Sequence, residues 1–382
     1  MEKSIQKTLN VPNLRFPGFS GEWEVKRLGE ISQINPKNEN LPNLFTYIDL
    51  ESVINGLLLK EEIISKNEAP SRAQRVLVKK DILFQMVRPY QKNNLFFDKD
   101  GEFVASTGYA QIRTDQTPQF IFQYLHNQKF VDKVIERCTG TSYPAINSSD
   151  LGNIQIHYPN SKEQNKIARF LGLLDERIQT QSKIIEGLKT LKITVAKKIF
   201  SQQLRFKDEK GNDYPEWEEK KLEEVCEKKS SNISANKIED NFGEYIVYGA
   251  SGILKNVDFY EEENDYISIV KDGAGVGRLF YCKGKSSVLG TMDLIKPKDT
   301  TDTYFLFCLL GTIDFIKYVT GSTIPHIYFK DYKNEYFEIP SIQEQTKIAN
   351  FLSSIDVKIN IENELLRKLE KQKKFLLQNL FV

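Results

Sequence analysis

A chain of 382 residues, 40% hydrophobic and 27% charged, has the length of two or three domains and the composition of an ordinary soluble globular protein, which excludes wholesale disorder and the collagen-like and low-complexity classes. Its net charge of +1 lacks the overall basic excess of a protein that grips nucleic acid alone. No apolar run approaches a membrane span of ~18–20 residues, the opening Met1-Glu2-Lys3-Ser4-Ile5-Gln6 lacks a secretory core, and Cys138, Cys226, Cys282 and Cys308 are isolated, so a reducing cytoplasm is the expected location.

The charge is unevenly spread. Residues 1–21 carry a net +2, 22–159 carry −1, 160–205 carry +6, 206–340 carry −8 and 341–382 carry +2. If the chain binds DNA, either its basic side chains are focused on one face or a partner supplies much of the phosphate contact.

In the first stretch, Val76-Leu77-Val78 and Ile82-Leu83-Phe84-Gln85-Met86-Val87 read as strands, and residues 120–134 have helical spacing. Polar and aromatic loops follow the strand-like runs. One carries Arg88, Tyr90, Gln91, Lys92 and Asn93, a second Thr107 and Tyr109, and a third Thr141, Ser142 and Tyr143. From Lys162 the chain has no proline until Pro215. Apolar residues at alternating four and three spacing (Ile167, Leu171, Leu174, Ile178, Ile185, Leu188) mark the seam of a coiled coil. Asn160 or Ser161 is placed to cap this helix, and Glu163 lies in its first turn.

Residues 206–340 again read as a mixed domain. Tyr266-Ile267-Ser268-Ile269-Val270 and Arg278-Leu279-Phe280-Tyr281-Cys282 are strand-like, and residues 304–319 have helical spacing. Its candidate loop residues are Tyr248, Ser251, Lys271, Arg278, Thr291, Ser322, Thr323 and His326. From Ser341 a second seam runs through Ile348, Leu352, Ile355, Ile359, Leu366 and Leu369. Two seam slots are polar in both helices, Gln181 with Glu362 and Lys192 with Lys373. They can fix register and partner, or they can lie where the seam is frayed or solvated.

The two halves are a repeat. Residues 139–178 align with 320–359 at a constant offset of 181, with about two residues in five identical, including Glu163-Gln164-x-Lys166-Ile167-Ala168-x-Phe170-Leu171 and Glu344-Gln345-x-Lys347-Ile348-Ala349-x-Phe351-Leu352. Leu14-Arg15-Phe16 recurs as Leu204-Arg205-Phe206, and Trp23 and Leu28 recur as Trp217 and Leu222, now at an offset of 194. The division along the sequence is thus 1–159, 160–205, 206–340 and 341–382, an α+β chain of two mixed domains on two long helices. A pseudo-twofold relation between the repeats makes the helices antiparallel.

Catalytic motifs are missing. The glycines of Asp272-Gly273-Ala274-Gly275-Val276-Gly277-Arg278 lie between two strands and do not spell the dinucleotide fingerprint, so a tight turn explains them better. Gly284-Lys285-Ser286 lacks the earlier glycine of a phosphate loop. His126, His157 and His326 have no metal-ligand spacing. No GxSxG, no Asn-Pro-Pro-aromatic run and no paired nuclease carboxylates occur. A ruler with two readers fits better, because base edges are read by hydrogen-bonding and apolar side chains on loops. Each candidate singly is also what an ordinary surface loop carries; their collective placement is the stronger signal.

Over essentially its whole length the chain resembles the specificity (S) subunit of a bacterial type I restriction–modification system. The duplicated Trp-x-x-x-x-Leu starts, the Thr-Gly-x-x-x-Pro loops, the twin Pro-x-x-x-Glu-Gln-x-Lys-Ile-Ala-x-Phe-Leu stretches at residues 159–171 and 340–352, and Ser106-Thr107-Gly108 after Val87-Arg88-Pro89 carry the resemblance. It implies two target-recognition domains, each reading one half of a split, asymmetric double-stranded DNA site. It implies helices that set the gap and dock two methyltransferase (M) subunits. S-adenosylmethionine, ATP and magnesium are then expected on the M and restriction (R) subunits, with no cofactor, metal, catalytic residue or membrane contact in this bacterial cytoplasmic chain. Two other readings stay open here: a coiled-coil adaptor that binds no DNA, and an enzyme with an unrecognised carboxylate site.

Overall fold

The computed structural model describes residues 10–38 and 40–382; Met1 to Gln6, read above for a leader, lie outside them. Two compact units form. One comprises the described residues of Met1–Ser182 with Glu364–Val382, the other Lys183–Asn363. Each therefore joins one mixed domain to parts of both long helices, Ser161–Phe200 and Ile342–Asn379.

In the first unit, Glu24–Arg27 pairs antiparallel with Gln155–Tyr158 and closes the domain at the foot of the helix. One four-stranded sheet runs Glu62–Ser65, Leu44–Ile48, Phe103–Ser106, Ala73–Val76, with the middle pair parallel. The other, wholly antiparallel, runs Gln33–Ile34, Tyr109–Arg113, Ile82–Gln85, Leu95–Phe96. In the second unit, Glu218–Lys221 pairs with Tyr336–Ile339 in the same closing role. Its antiparallel sheet runs Cys226–Ser230, Met292–Pro297, Tyr266–Val270, Leu279–Cys282, and a three-stranded sheet runs Gly252–Val257, Tyr245–Gly249, Ser286–Val288.

Two expected helices are broken. Residues 120–134 fold as Pro118–Tyr124 and Gln128–Ile135, because Asn127 caps the second helix by accepting from the Lys129 amide. Residues 304–319 fold as Thr303–Leu310 and a short 3₁₀ turn, Phe315–Tyr318, where Asp314 accepts from the Ile316 amide. Apolar spacing continues across both breaks, so periodicity alone merges them.

The long helices form as the heptads require. Asn160 caps the first through the Glu163 amide at 3.1 Å, and Ser341 caps the second through Glu344 at 3.5 Å. Every seam position named above is buried or half-buried. In the first unit Ile167 and Leu171 share a core with Leu376, Leu377, Leu380 and Phe381. In the second, Ile348 and Leu352 share a core with Ile199 and Val195. The start of one helix thus lies beside the end of the other in each unit, and the helices run antiparallel there.

The Glu-Gln pair that opens each helix is a structural lock. Glu163, 0% exposed, accepts from the Arg15 guanidinium at 2.7 and 2.8 Å. Gln164 donates to the Pro159 carbonyl and accepts from the Thr117 amide. In the repeat, Glu344 holds Arg205 and the Trp217 indole, while Gln345 donates to Pro340 and accepts from Asp302. The sequence motifs that recur most clearly are those that fasten each domain to a helix start.

Candidate nucleic-acid interface

Both domains build one loop frame at the end of a central strand. In the first, the Thr139 and Ala145 backbones exchange hydrogen bonds of 2.9 and 3.0 Å, Ile146 donates to Met86 at 3.1 Å, and Arg88 donates to Pro144 at 2.7 Å. In the second, Thr320 and His326 exchange bonds of 2.9 and 2.8 Å, Ile327 donates to Lys271 at 3.0 Å, and Gly273 donates to Pro325 at 2.9 Å. Met86 donates to Gly108, as Lys271 donates to Thr291, at 3.0 Å in each case. The glycine cluster of the second domain is therefore the counterpart of the Arg88–Asn93 loop. Arg88 and Lys92 have φ of 54° and 55°, where Gly273 and Gly277 have 92° and 82°. Only glycine adopts that region freely, which accounts for the glycines without a nucleotide site.

On this frame the first domain brings Arg88 and Tyr143 together. The guanidinium carbon lies 4.1 Å from the ring centroid, and Tyr143 is 64% exposed. Thr141, Ser142 and Tyr90 are also exposed. Other candidates are tied back to the domain by hydrogen bonds, with Lys92, Asn93 and Thr107 half-buried and Gln91 exposed. Lys92 donates to the His126 carbonyl and to Gln128, and burial lowers its pKa. The Gln91 amide oxygen accepts from Gln85. Asn93 is tied to Gln85 and Asn55, and the Thr107 amide donates to Arg72. Tyr109 is a correction: it is 0% exposed, packed in the core between the sheets, and burial raises its pKa. The Gly108-to-Arg113 stretch alternates into that core, so the ring points inward.

In the second domain Thr291, Ser251, Arg278, Ser322 and Thr323 are exposed, while Lys271 and His326 are half-buried at the frame. Arg278 donates to the Ala250 carbonyl at 2.9 Å, which joins its turn to that of Ser251. Tyr248, at 9% exposure, is the second correction, since it belongs to the core.

Two buried acids of the second domain escaped the sequence reading. Asp293 accepts from Ser230 at 3.0 Å and lies 3.3 Å from Lys271 and 3.7 Å from Lys228. Glu262 holds Lys229 at 2.6 Å and also pairs with Lys296. Burial pushes the Glu262 carboxyl up, but the two lysines outweigh it and keep it below the usual carboxylate range. An acid inside the apolar run Met292-Asp293-Leu294-Ile295 was the available signal.

The seam residues also face inward: Ile185, Ile359 and Leu369 are 5%, 8% and 5% exposed, and Leu174, Ile178, Leu188, Ile355 and Leu366 are half-buried. They pair the helices and leave the outer faces to any partner. Among the described residues no group of three or more His, Cys, Asp or Glu could hold a metal ion, and no helix is long and apolar enough to cross a membrane.

Two domains that share one hydrogen-bonded loop frame, bear different side chains on it, and are each locked to long paired helices define a two-reader recognition protein. The family model described as Type I restriction modification DNA specificity domain matches residues 20–190 and again residues 214–371, and the chain belongs to that family. The MjaVIII specificity subunit of Methanocaldococcus jannaschii is 26% identical over 92% of this chain and 90% of its own length. The HindI specificity subunit of Haemophilus influenzae is 26% identical over 47% of this chain, a stretch that spans 41% of that protein. The crystal structure of the S subunit of a type I system from M. genitalium has the same fold, with a TM-score of 0.66 at 19% identity, covering 97% of this chain and 99% of that one. A chain from a structural study of complex assembly and conformational transition in a type I system matches with a TM-score of 0.55 at 22% identity over 96% of this chain.

Proposed function

We propose that this chain selects the DNA sequence for a type I restriction–modification complex, each domain reading one half of a split, asymmetric site. One observation carries the reading. The Arg88–Pro144 and Gly273–Pro325 hydrogen bonds put the same frame in both domains, while residues 86–93 differ from residues 271–278 at every position and the Thr-Gly-x-x-x-Pro loops differ at Thr141, Ser142 and Tyr143 against Ser322, Thr323 and Ile324. A shared scaffold with different tips reads two different half-sites, because phosphate contacts position a protein and side chains at base edges specify sequence.

The paired helices set the gap between halves and dock the methyltransferase subunits, two of them, which bind S-adenosylmethionine and flip an adenine out of the duplex. Restriction subunits add ATP- and magnesium-dependent cleavage. Docking falls on outward side chains of the helices, such as Leu173, Leu191, Val357, Ile361 and Phe375, each at least half exposed. Partner subunits also supply the phosphate contact that a net charge of +1 withholds.

The experiment is a methylome comparison by single-molecule sequencing in cells with and without the gene, the methyltransferase subunit being active in both. Loss of methyl-adenine at one split, asymmetric motif is the expected result. An unchanged methylome overturns the reading and leaves the adaptor and the unrecognised-enzyme readings.

A further inference from the structure

The cation at the tip of the first domain is held in an unusual way. Arg88 has φ 54° and ψ 53° and is followed by Pro89 at the start of a 3₁₀ turn. A non-glycine residue in the left-handed region, before a proline, costs energy that the surrounding frame must impose. The frame here is the bond from the Arg88 amide to Pro144, one residue after Tyr143. This bond sets the guanidinium against the Tyr143 ring, 4.1 Å from its centroid.

The side chain then makes no hydrogen bond or ion pair among the described residues, and its Nε is buried without a partner. Arg15, Arg113 and Arg205, by contrast, are bound to carboxylates. In the second domain, the positions of Arg88 and Tyr143 are held by Gly273, with φ 92°, and Ile324.

We propose that the Arg88–Tyr143 pair is a guanine reader, specific to the half-site of the first domain. The inference rests on the reading proposed above. A guanidinium presents parallel N–H donors whose spacing matches the O6 and N7 acceptors of guanine in the major groove. Stacking on an aromatic ring fixes the plane of that fork before DNA arrives, so less freedom is lost on binding. The second domain lacks both partners, so its half-site is read by other side chains, with Lys271 held beside Asp293 at the same frame.

The test uses the chain assembled with its methyltransferase subunits and S-adenosylmethionine, acting on DNA with randomised half-sites and read by sequencing of methylated adenine. The variants are Arg88→Gly, which suits the left-handed backbone, Arg88→Lys, Tyr143→Leu, and Lys271→Ala to mark the half read by the second domain. Arg88→Gly is expected to lower the preference for one G·C pair by about tenfold or more, in the half that Lys271→Ala leaves unchanged. Arg88→Lys and Tyr143→Leu are expected to relax the same base pair to a smaller degree. Unchanged preference at every position in Arg88→Gly, relaxation at an A·T pair, or equal loss in both halves overturns the guanine assignment. A wild-type complex that shows no split motif overturns the recognition reading itself.

Discussion

The ammonium of Lys192, on the first long helix, lies 2.7 and 2.6 Å from the two carboxylate oxygens of Asp356 on the second. Tyr304 donates to the same carboxylate, and burial followed by that hydrogen bond raises the pKa of the phenol. In the other unit Lys373 pairs with Asp175, which also accepts from Gln123 at 2.6 Å. Lys192 and Lys373 are repeat-related, and so are Asp175 and Asp356. The polar lysine slots of the seam are thus ion-paired across the two helices, each touching a domain helix as well. A seam lysine has its carboxylate in only one alignment, so these slots specify register.

Replacing Asp356 with Ala therefore leaves Lys192 unpaired at a site where the two side chains are 21% and 35% exposed. A loss of about 1–2 kcal/mol is expected in the second unit. Hydrogen exchange along residues 183–200 and 342–363 reads it, and a double-mutant cycle with Lys192→Met isolates the coupling.

The Glu163 lock is more costly to break, because the carboxylate is fully buried. Glu163→Ala is expected to destabilise the first unit by about 3–5 kcal/mol, since it strands the Arg15 guanidinium. Glu163→Gln, which keeps one acceptor for Arg15, is expected to cost less. Denaturant unfolding of the two variants checks the order.

Tyr109 separates core from reader. Its hydroxyl is buried without a partner, so Tyr109→Phe removes an unpaired polar group and is expected to leave stability equal or raised by about 1 kcal/mol. The methylated motif is expected to be unchanged, whereas a shift in that motif would return Tyr109 to the interface.

His126 supplies a pH dependence. Burial, followed by the charge of Lys373, lowers its pKa to about 4, and Asp175 and Lys92 are the other charges that act on it. The unfolded chain protonates this histidine near 6.5. Between about 4 and 6.5 the unfolded state holds more protons, so stability is full above about 6.5 and falls as the pH drops toward 4. His126→Gln is expected to flatten that slope in a denaturation series across this range.

The spacing role proposed for the helices can be tested by shortening them. Removing one heptad from each long helix keeps the seam in phase and withdraws about 10 Å of rod. The spacer of the methylated motif is expected to shorten, and an unchanged spacer would deny the helices that role.

The repeat, the two long helices, their seam and their caps were legible in the sequence, because each depends on local spacing. A heptad, a capping side chain and a constant offset of 181 can all be read along one strand of text. The same locality explains the misreadings. Residues 120–134 and 304–319 kept their apolar spacing through real breaks, and Tyr109 and Tyr248 looked like loop aromatics because alternation does not say which face is inside.

Tertiary structure alone decided the rest. Arg88 meets Tyr143, Lys192 meets Asp356 and Lys271 meets Asp293 across gaps of 55, 164 and 22 residues. None of these pairs has a characteristic spacing, because each is set by how sheets and helices pack. The loop frame itself, with Arg88 and Gly273 in one position, is visible only through its hydrogen bonds, since the side chains on it were free to differ once the backbone was held.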